Sequence, residues 1–178
     1  MPKAPDPFLA DRILAVAMRL LDRGGLEAVT MRAVAAEAGI ATTTIYQRFA
    51  DRETLLLGVV AVGQKELIAA VQPARSVDSF AKAYIDFFCR YPFRFDLSVR
   101  VFDARLAAGE PMPVLAMFKE ILSRESGRKA RNLDDLALAV ASLIFGSLRS
   151  MIAAGPGNPR TADLRRACLS ALKRLTTT

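Results

Sequence analysis

The chain of 178 residues contains no histidine and only two cysteines, Cys89 and Cys168. Histidine is the commonest general base and a frequent transition-metal ligand. Its absence, with no cysteine cluster, leaves no ready metal site and no ordinary acid–base catalyst. Two isolated cysteines in apolar helical surroundings are expected to be buried thiols rather than a disulfide. There is no nucleophile–base pair and no phosphate-cradling glycine loop, so neither an enzymatic activity nor a cofactor is expected. No run of 18 uncharged apolar residues occurs, and the N-terminus lacks a charged-then-apolar leader, which is the expectation for a cytoplasmic protein without a membrane partner. Alternating strand patterns, internal repeats and low-complexity tracts are absent as well.

Positive charge is abundant, with a formal net charge of +7, and such a balance points toward nucleic acid. Its distribution complicates that inference. Residues 1–57 hold seven basic side chains (Lys3, Arg12, Arg19, Arg23, Arg32, Arg48, Arg52) and seven acidic ones (Asp6, Asp11, Asp22, Glu27, Glu37, Asp51, Glu53). The excess therefore lies after residue 57. A neutral domain still binds DNA if Arg32, Arg48 and Arg52 share one face and the carboxylates lie elsewhere.

The most informative stretch is 30–49, TMRAVAAEAGIATTTIYQRF. Small or apolar residues fall where two short helices must touch: Val34, Ala35, Ala38, Ile40 and Ile45, with Gly39 at the turn. Gly39 can take the positive φ that a helix C-terminus needs. This is a helix-turn-helix pattern, whose second helix lies in the DNA major groove. The residues left exposed on that helix, Thr42, Thr43, Thr44, Tyr46, Gln47 and Arg48, can all hydrogen-bond to phosphates or base edges. Upstream, Asp6-Pro7 starts a helix whose apolar stripe, Ile13, Leu14, Ala17, Leu20 and Leu21, ends at Gly24-Gly25. Downstream, Asp51 is positioned to cap a helix whose apolar face begins Leu55, Leu56, Val59 and Val60. A third helix supplies the core that two short ones cannot build alone.

From Asp11 to about Val60 the chain closely resembles the N-terminal domain of the TetR family of transcriptional regulators. The resemblance rests on Ile13, Leu20-Leu21, Gly25, Ala28, Thr30, Val34-Ala35, Ala38-Gly39-Ile40, Thr44-Ile45-Tyr46, Phe49 and Arg52-Glu53-x-Leu55. It implies that Thr30 caps the second helix and touches phosphate, that Tyr46 contacts the DNA backbone, and that Arg52, where the family has Lys, reaches phosphate from helix four. Arg keeps the charge and adds a fork suited to phosphate oxygens. Thr42, Thr43 and Gln47 would face bases, since Gln pairs bidentately with adenine and a Thr methyl packs against thymine. Two departures stand out. Ala41 occupies the position where Ser commonly caps the recognition helix, so the cap is expected to move to Thr42. Thr43 replaces a smaller residue, and three consecutive β-branched threonines lower helix propensity.

Beyond residue 57 the periodicity is helical throughout. Helices are expected over about Arg52–Val71, Val77–Tyr91, Pro92–Ala108, Val114–Glu125, Leu133–Ala153 behind an Asn132 cap, and Ala162–Leu175, with a polar loop over Ser126–Arg131. The resulting architecture is all-α with about nine helices. A three-helix DNA-binding domain (1–57) is linked by helix four to a ligand-binding and dimerisation domain (58–178). By the resemblance, helices eight and nine form a homodimer surface. Leu136, Val140, Leu143, Ile144, Ser147 and Met151 make one apolar stripe, with Gly146 allowing close approach, and Leu164, Cys168, Leu172 and Leu175 make another. Aromatics concentrate between Phe80 and Phe118. Tyr84, Phe87, Phe88, Phe95, Val99, Phe102, Met117 and Phe118 either line a cavity for an apolar or aromatic effector or simply fill the core. The expected function is that of a sequence-specific regulator, a ligand-released repressor acting as a homodimer on a palindromic double-stranded operator. A small helical ligand carrier or enzyme using the aromatic cavity is the rival, and it leaves the Thr42–Arg48 face without a role.

Overall fold

A computed structural model describes residues 6–126 and 130–176. Among the described residues there are nine helices and no strand: α1 (Leu9–Ala28), α2 (Met31–Ala38), α3 (Thr42–Tyr46), α4 (Arg52–Val71), α5 (Val77–Arg90), α6 (Pro92–Ala108), α7 (Pro113–Ser126), α8 (Ala130–Ala154) and α9 (Pro159–Thr176). The chain divides into two compact units. The first comprises Met1–Lys65 with Phe93–Ser98, and the second Glu66–Pro92 with Val99–Thr178. The expected 1–57 segment lies wholly within the first.

Apolar side chains of α1, α2, α3 and the start of α4 build the core of the first unit. Ile13, Ala17, Val29, Val34, Ile45, Leu55 and Val59 have no exposed area. Complete removal of such aliphatic side chains from water contributes about 1.5–3 kcal/mol each before entropy is counted. α1 starts two residues later than expected. Asp6 caps a turn, its carboxylate accepting from the Phe8 N–H at 2.9 Å, and regular helix begins at Leu9. The expected stop at Gly24-Gly25 is a kink: Gly25 has φ 69° and ψ −168°, and the helix resumes to Ala28. A side chain at Gly25 would be strained by that φ and would also press on the Phe93 ring, 3.1 Å away.

In the second unit α5, α7, α8 and α9 pack on one another. Their buried side chains include Ile85, Phe88, Leu122, Val140, Leu148, Met151 and Leu172. A Ser76–Ser79 capping box opens α5, and the Glu125 carboxylate of α7 accepts from the Val77 N–H at 3.0 Å. Several expectations are corrected here. Leu136, Val140, Ile144 and Met151 of α8, and Cys168 and Leu172 of α9, are buried within their own unit, so those stripes face inward. The uncovered side of α8 carries Leu138, Ala139, Ser142, Gly146, Ser150 and Ala153. α8 begins at Ala130, so Asn132 is inside the helix rather than its cap. The expected loop over 126–131 falls partly outside the described residues. Cys168 is buried as expected, but Cys89 is exposed on α5, and both are free thiols.

By length and composition α4 and α8 could each cross a membrane, a test that core helices also pass. Only 33% of the most apolar window of α8 is buried within the chain, at a mean hydropathy of 1.8.

Candidate nucleic-acid interface and apolar cavity

Local backbone chemistry sets the angle between α2 and α3. Thr30 is the N-cap of α2, its hydroxyl accepting from the Ala33 N–H at 3.1 Å. At the other end Gly39 adopts φ 66°, and its N–H and that of Ile40 return to the Ala36 and Ala35 carbonyls at 3.3 and 3.1 Å. This is the Schellman closure, which satisfies carbonyls that a helix end leaves open. Val34, Ala35 and Ile45 then fill the contact between the two helices. The recognition helix is short. Ala41 is its N-cap and makes no side-chain cap bond, so the expected shift of the cap to Thr42 does not occur. Thr42 is instead the first helical residue, because Ala41 already holds the extended conformation (φ −68°, ψ 144°) of a cap.

Burial of Ile45 fixes which way α3 faces. Thr43, Tyr46, Gln47 and Arg48 are exposed, and Thr42 and Thr44 are half-buried. Tyr46 is 53% exposed, although it is a large aromatic in a well-packed unit. Arg32 is exposed in the first turn of α2. Arg52 is placed differently. Its Nε donates to the Val29 carbonyl at 2.7 Å and its Nη2 to the Leu26 carbonyl, so much of its fork holds the end of α1.

Ion pairs and caps commit part of the charge of this region. Asp6 pairs with Arg12 at 2.9 Å, and Glu37 with both Arg19 and Arg23. Asp22 holds Arg94 through two bonds at 2.6 and 2.5 Å, with Arg94 buried. Asp51 caps α4 by accepting from the Thr54 N–H at 2.7 Å. That backbone bond, with the Thr54 side chain adding to it, holds the Asp51 carboxyl below its ordinary pKa. Four of the seven carboxylates are thus committed, whereas Arg32 and Arg48 have no ion-pair partner among the described residues. Arg32 and Arg48 are thus exposed cations left without an ion pair among the described residues, and such charges suit phosphate oxygens.

The second unit contains an apolar cavity of about 60 Å³, lined by Phe80, Tyr84, Phe102, Val114, Leu115, Phe118, Ala141, Ile144 and Phe145. Of the expected ligand residues, Tyr84, Phe102 and Phe118 line it. Phe87 and Phe88 are buried in an aromatic cluster with Tyr84 and Tyr91, and Phe95 is buried in the first unit. Val99 and Met117 are half-buried and do not line the cavity. Phe80 and Phe145 are the aromatic lining residues that periodicity missed, and the α8 residues Ala141 and Ile144 were read only as helix or dimer positions. Phe145 stacks on Tyr84 with ring centres 6.2 Å apart and meets Phe102 edge-on at 4.9 Å. Burial raises the Tyr84 phenol above its usual range, so it is protonated at every physiological pH. No group of three or more potential metal ligands occurs among the described residues.

A helical hairpin closed by Gly39, with Ile45 buried and the polar side of its second helix exposed, is a helix-turn-helix of the kind that places a helix in the DNA major groove. Residues 13–59 match the family model of bacterial regulatory proteins of the tetR family. That match makes residues 13–59 similar to the DNA-binding domain of this family, and solved structures of TetR-family regulators share the fold of the chain as a whole. The structure of a TetR regulator from Streptomyces coelicolor, SCO7222, superposes with a TM-score of 0.70 at 19% identity, covering 95% of this chain and 96% of that one. PfmR from Thermus thermophilus superposes with a TM-score of 0.60 at 20% identity, covering 93% and 97%. A regulator from Saccharomonospora viridis, solved in complex with choline, gives 0.60 at 16%, covering 92% and 95%. No curated protein matches the sequence.

Proposed function

We propose that this chain is a cytoplasmic homodimeric repressor that binds a palindromic operator and is released by a small apolar molecule, with no membrane partner. The observation that carries the DNA-binding part is the polar face of α3 left exposed, together with the exposed Arg32 and Arg48, which have no ion-pair partner among the described residues. Thr42, Thr43 and Gln47 read base edges; Thr30, Thr44, Tyr46, Arg32 and Arg48 position the backbone. Arg52 acts first as a brace for the α1 terminus and reaches phosphate only with what remains of its fork. Residues 1–57 form the DNA-binding domain and 58–178 the regulatory one.

The dimer reading is supported by the uncovered small-residue side of α8. Gly146 there has nothing within 4 Å of where a side chain would begin, which leaves room for a second helix at close range. One three-helix unit reads too few base pairs to be specific, and two-fold symmetry supplies a second half-site. On α9, Leu175 is 42% exposed.

Release requires a ligand with different affinities for the DNA-binding and released states. The cavity lies among α5, α6, α7 and α8. α6 carries Phe102, which lines it, and also Arg94, held by Asp22 of α1. Occupation of the cavity shifts α6 and tilts α4, and the paired recognition helices lose their operator spacing. A gel shift with DNA from upstream of its own gene tests the reading. A retarded dimer complex that dissociates on adding a cavity ligand supports it. No shift on that DNA, or on a random-sequence selection pool, would favour the ligand carrier or enzyme instead.

A further inference from the structure

All nine residues around the cavity are apolar except for one oxygen, the hydroxyl of Tyr84. Tyr84 is 8% exposed, and its hydroxyl makes no hydrogen bond among the described residues. No wholly occluded polar side-chain atom lacks a partner among the described residues, so the Tyr84 oxygen keeps some accessible area. A largely buried phenol usually finds a partner, because leaving it without one forfeits the hydrogen bond it made to water. No cation or carboxylate borders the cavity, so a charged ligand would be desolvated without compensation.

We propose that the cavity takes a small, uncharged, largely apolar ligand bearing one hydrogen-bond-accepting oxygen, and that the Tyr84 hydroxyl donates to that oxygen and orients it. This rests on reading the cavity as the effector site, and it adds the chemical class and the specificity residue. Size sharpens the class. At about 60 Å³ the space is well under the roughly 150 Å³ that admits benzene in an engineered protein cavity. Accommodating a ring therefore requires one of the lining rings to swing aside. Phe80, Leu115, Phe118 and Ile144 are buried, whereas Phe102 and Phe145 are half-buried and touch edge-on, so that pair is the movable wall. A ligand of one ring and a carbonyl or ether fits the space released by one phenylalanine.

The test compares acetophenone with its near-isostere α-methylstyrene, which has a methylene group in place of the carbonyl oxygen, and with tetramethylammonium. Titration calorimetry is run on wild type, Tyr84→Phe and Phe102→Ala. Tyr84→Phe is expected to weaken acetophenone about fivefold, the loss of one net hydrogen bond, while α-methylstyrene changes less than about twofold. Phe102→Ala is expected to bind both neutral probes more tightly. An unchanged acetophenone affinity in Tyr84→Phe would overturn the assignment of Tyr84 while leaving the effector site standing. Tighter binding of tetramethylammonium than of acetophenone would overturn the uncharged class. If neither neutral probe binds wild type or Phe102→Ala, the effector-site reading falls and this inference with it. Nuclear Overhauser contacts from the acetophenone methyl to the Tyr84 and Phe145 rings in wild type give the same answer should Tyr84→Phe not fold, and contacts confined to other residues would contradict it.

Discussion

In the first unit Ile13, Val34 and Ile45 are wholly buried, and four of the seven carboxylates of residues 1–57 are tied to arginines or helix ends. In the second, Phe102 and Phe145 meet edge-on beside an apolar space of about 60 Å³, and the Tyr84 phenol of its lining makes no hydrogen bond among the described residues. The two regions use similar side chains to different ends. One buries its apolar residues in a single cluster that includes Ile45, so that a short five-residue helix presents its polar face in a fixed direction. The other keeps an imperfect core, and imperfect packing is what allows a ligand to be stabilising.

The largest effect that would sharpen this contrast comes from truncating one ring or aliphatic group in each region. Ile45→Ala should cost about 2–5 kcal/mol, because its side chain is fully buried, whereas Phe102→Ala, half-buried beside existing space, should cost well under the roughly 3–5 kcal/mol of a fully buried Phe. Chemical denaturation of both variants checks this, and equal losses would break the comparison. Next is the Arg94–Asp22 pair. Arg94→Ala leaves the Asp22 carboxylate partly buried and unpaired, and should destabilise the first unit by about 2–3 kcal/mol, read in the same way. A third prediction separates reading from positioning. Gln47→Ala should lose about 1–3 kcal/mol on the cognate operator with little change on random DNA. Arg48→Ala should weaken all sequences alike and flatten the log–log salt slope by about one unit. Anisotropy titrations over a salt series distinguish them, and a uniform loss for Gln47→Ala would move base reading to Thr42 and Thr43.

The smallest effect is the α4 cap. Because the Asp51 carboxyl is held below its ordinary value of 3.8 in the folded protein, its contribution is complete above the unfolded pKa and fades as pH falls through the lower folded one. The gap in Tm between wild type and Asp51→Ala should therefore be steady from about pH 7 to 5 and narrow below 3.8. A gap that widened on acidification would contradict the capping role.

The N-terminal pattern was legible because its signals are local. Gly39, Thr30 and the spacing of Val34, Ala35 and Ile45 act within one or two turns, and helix boundaries set by Pro92, Pro113 and Gly109 fell within a residue of expectation. What was not legible depends on distance along the chain. Arg94 and Asp22 are 72 residues apart, and neither carries a mark of the other. Arg52 resembles a phosphate ligand in sequence, yet two carbonyls 23 and 26 residues upstream take its donors. Helical periodicity locates the stripes of α8 without saying which side faces inward, so Leu136, Val140, Ile144 and Met151 fall on the opposite surface from the one expected. The same ambiguity hid Phe145, whose neighbours Tyr84 and Phe102 come from two other helices.

The central claim is that α3 reads DNA as one of a symmetric pair. Hydroxyl-radical footprinting of the wild-type protein on its selected operator tests it most directly. The account predicts two protected patches, related by an inverted repeat and centred about 10–11 base pairs or somewhat more apart on one face of the duplex, both lost together in an Arg32→Ala, Arg48→Ala double variant that still folds. A single patch covering one half-site, or protection that survives the double variant, would contradict it.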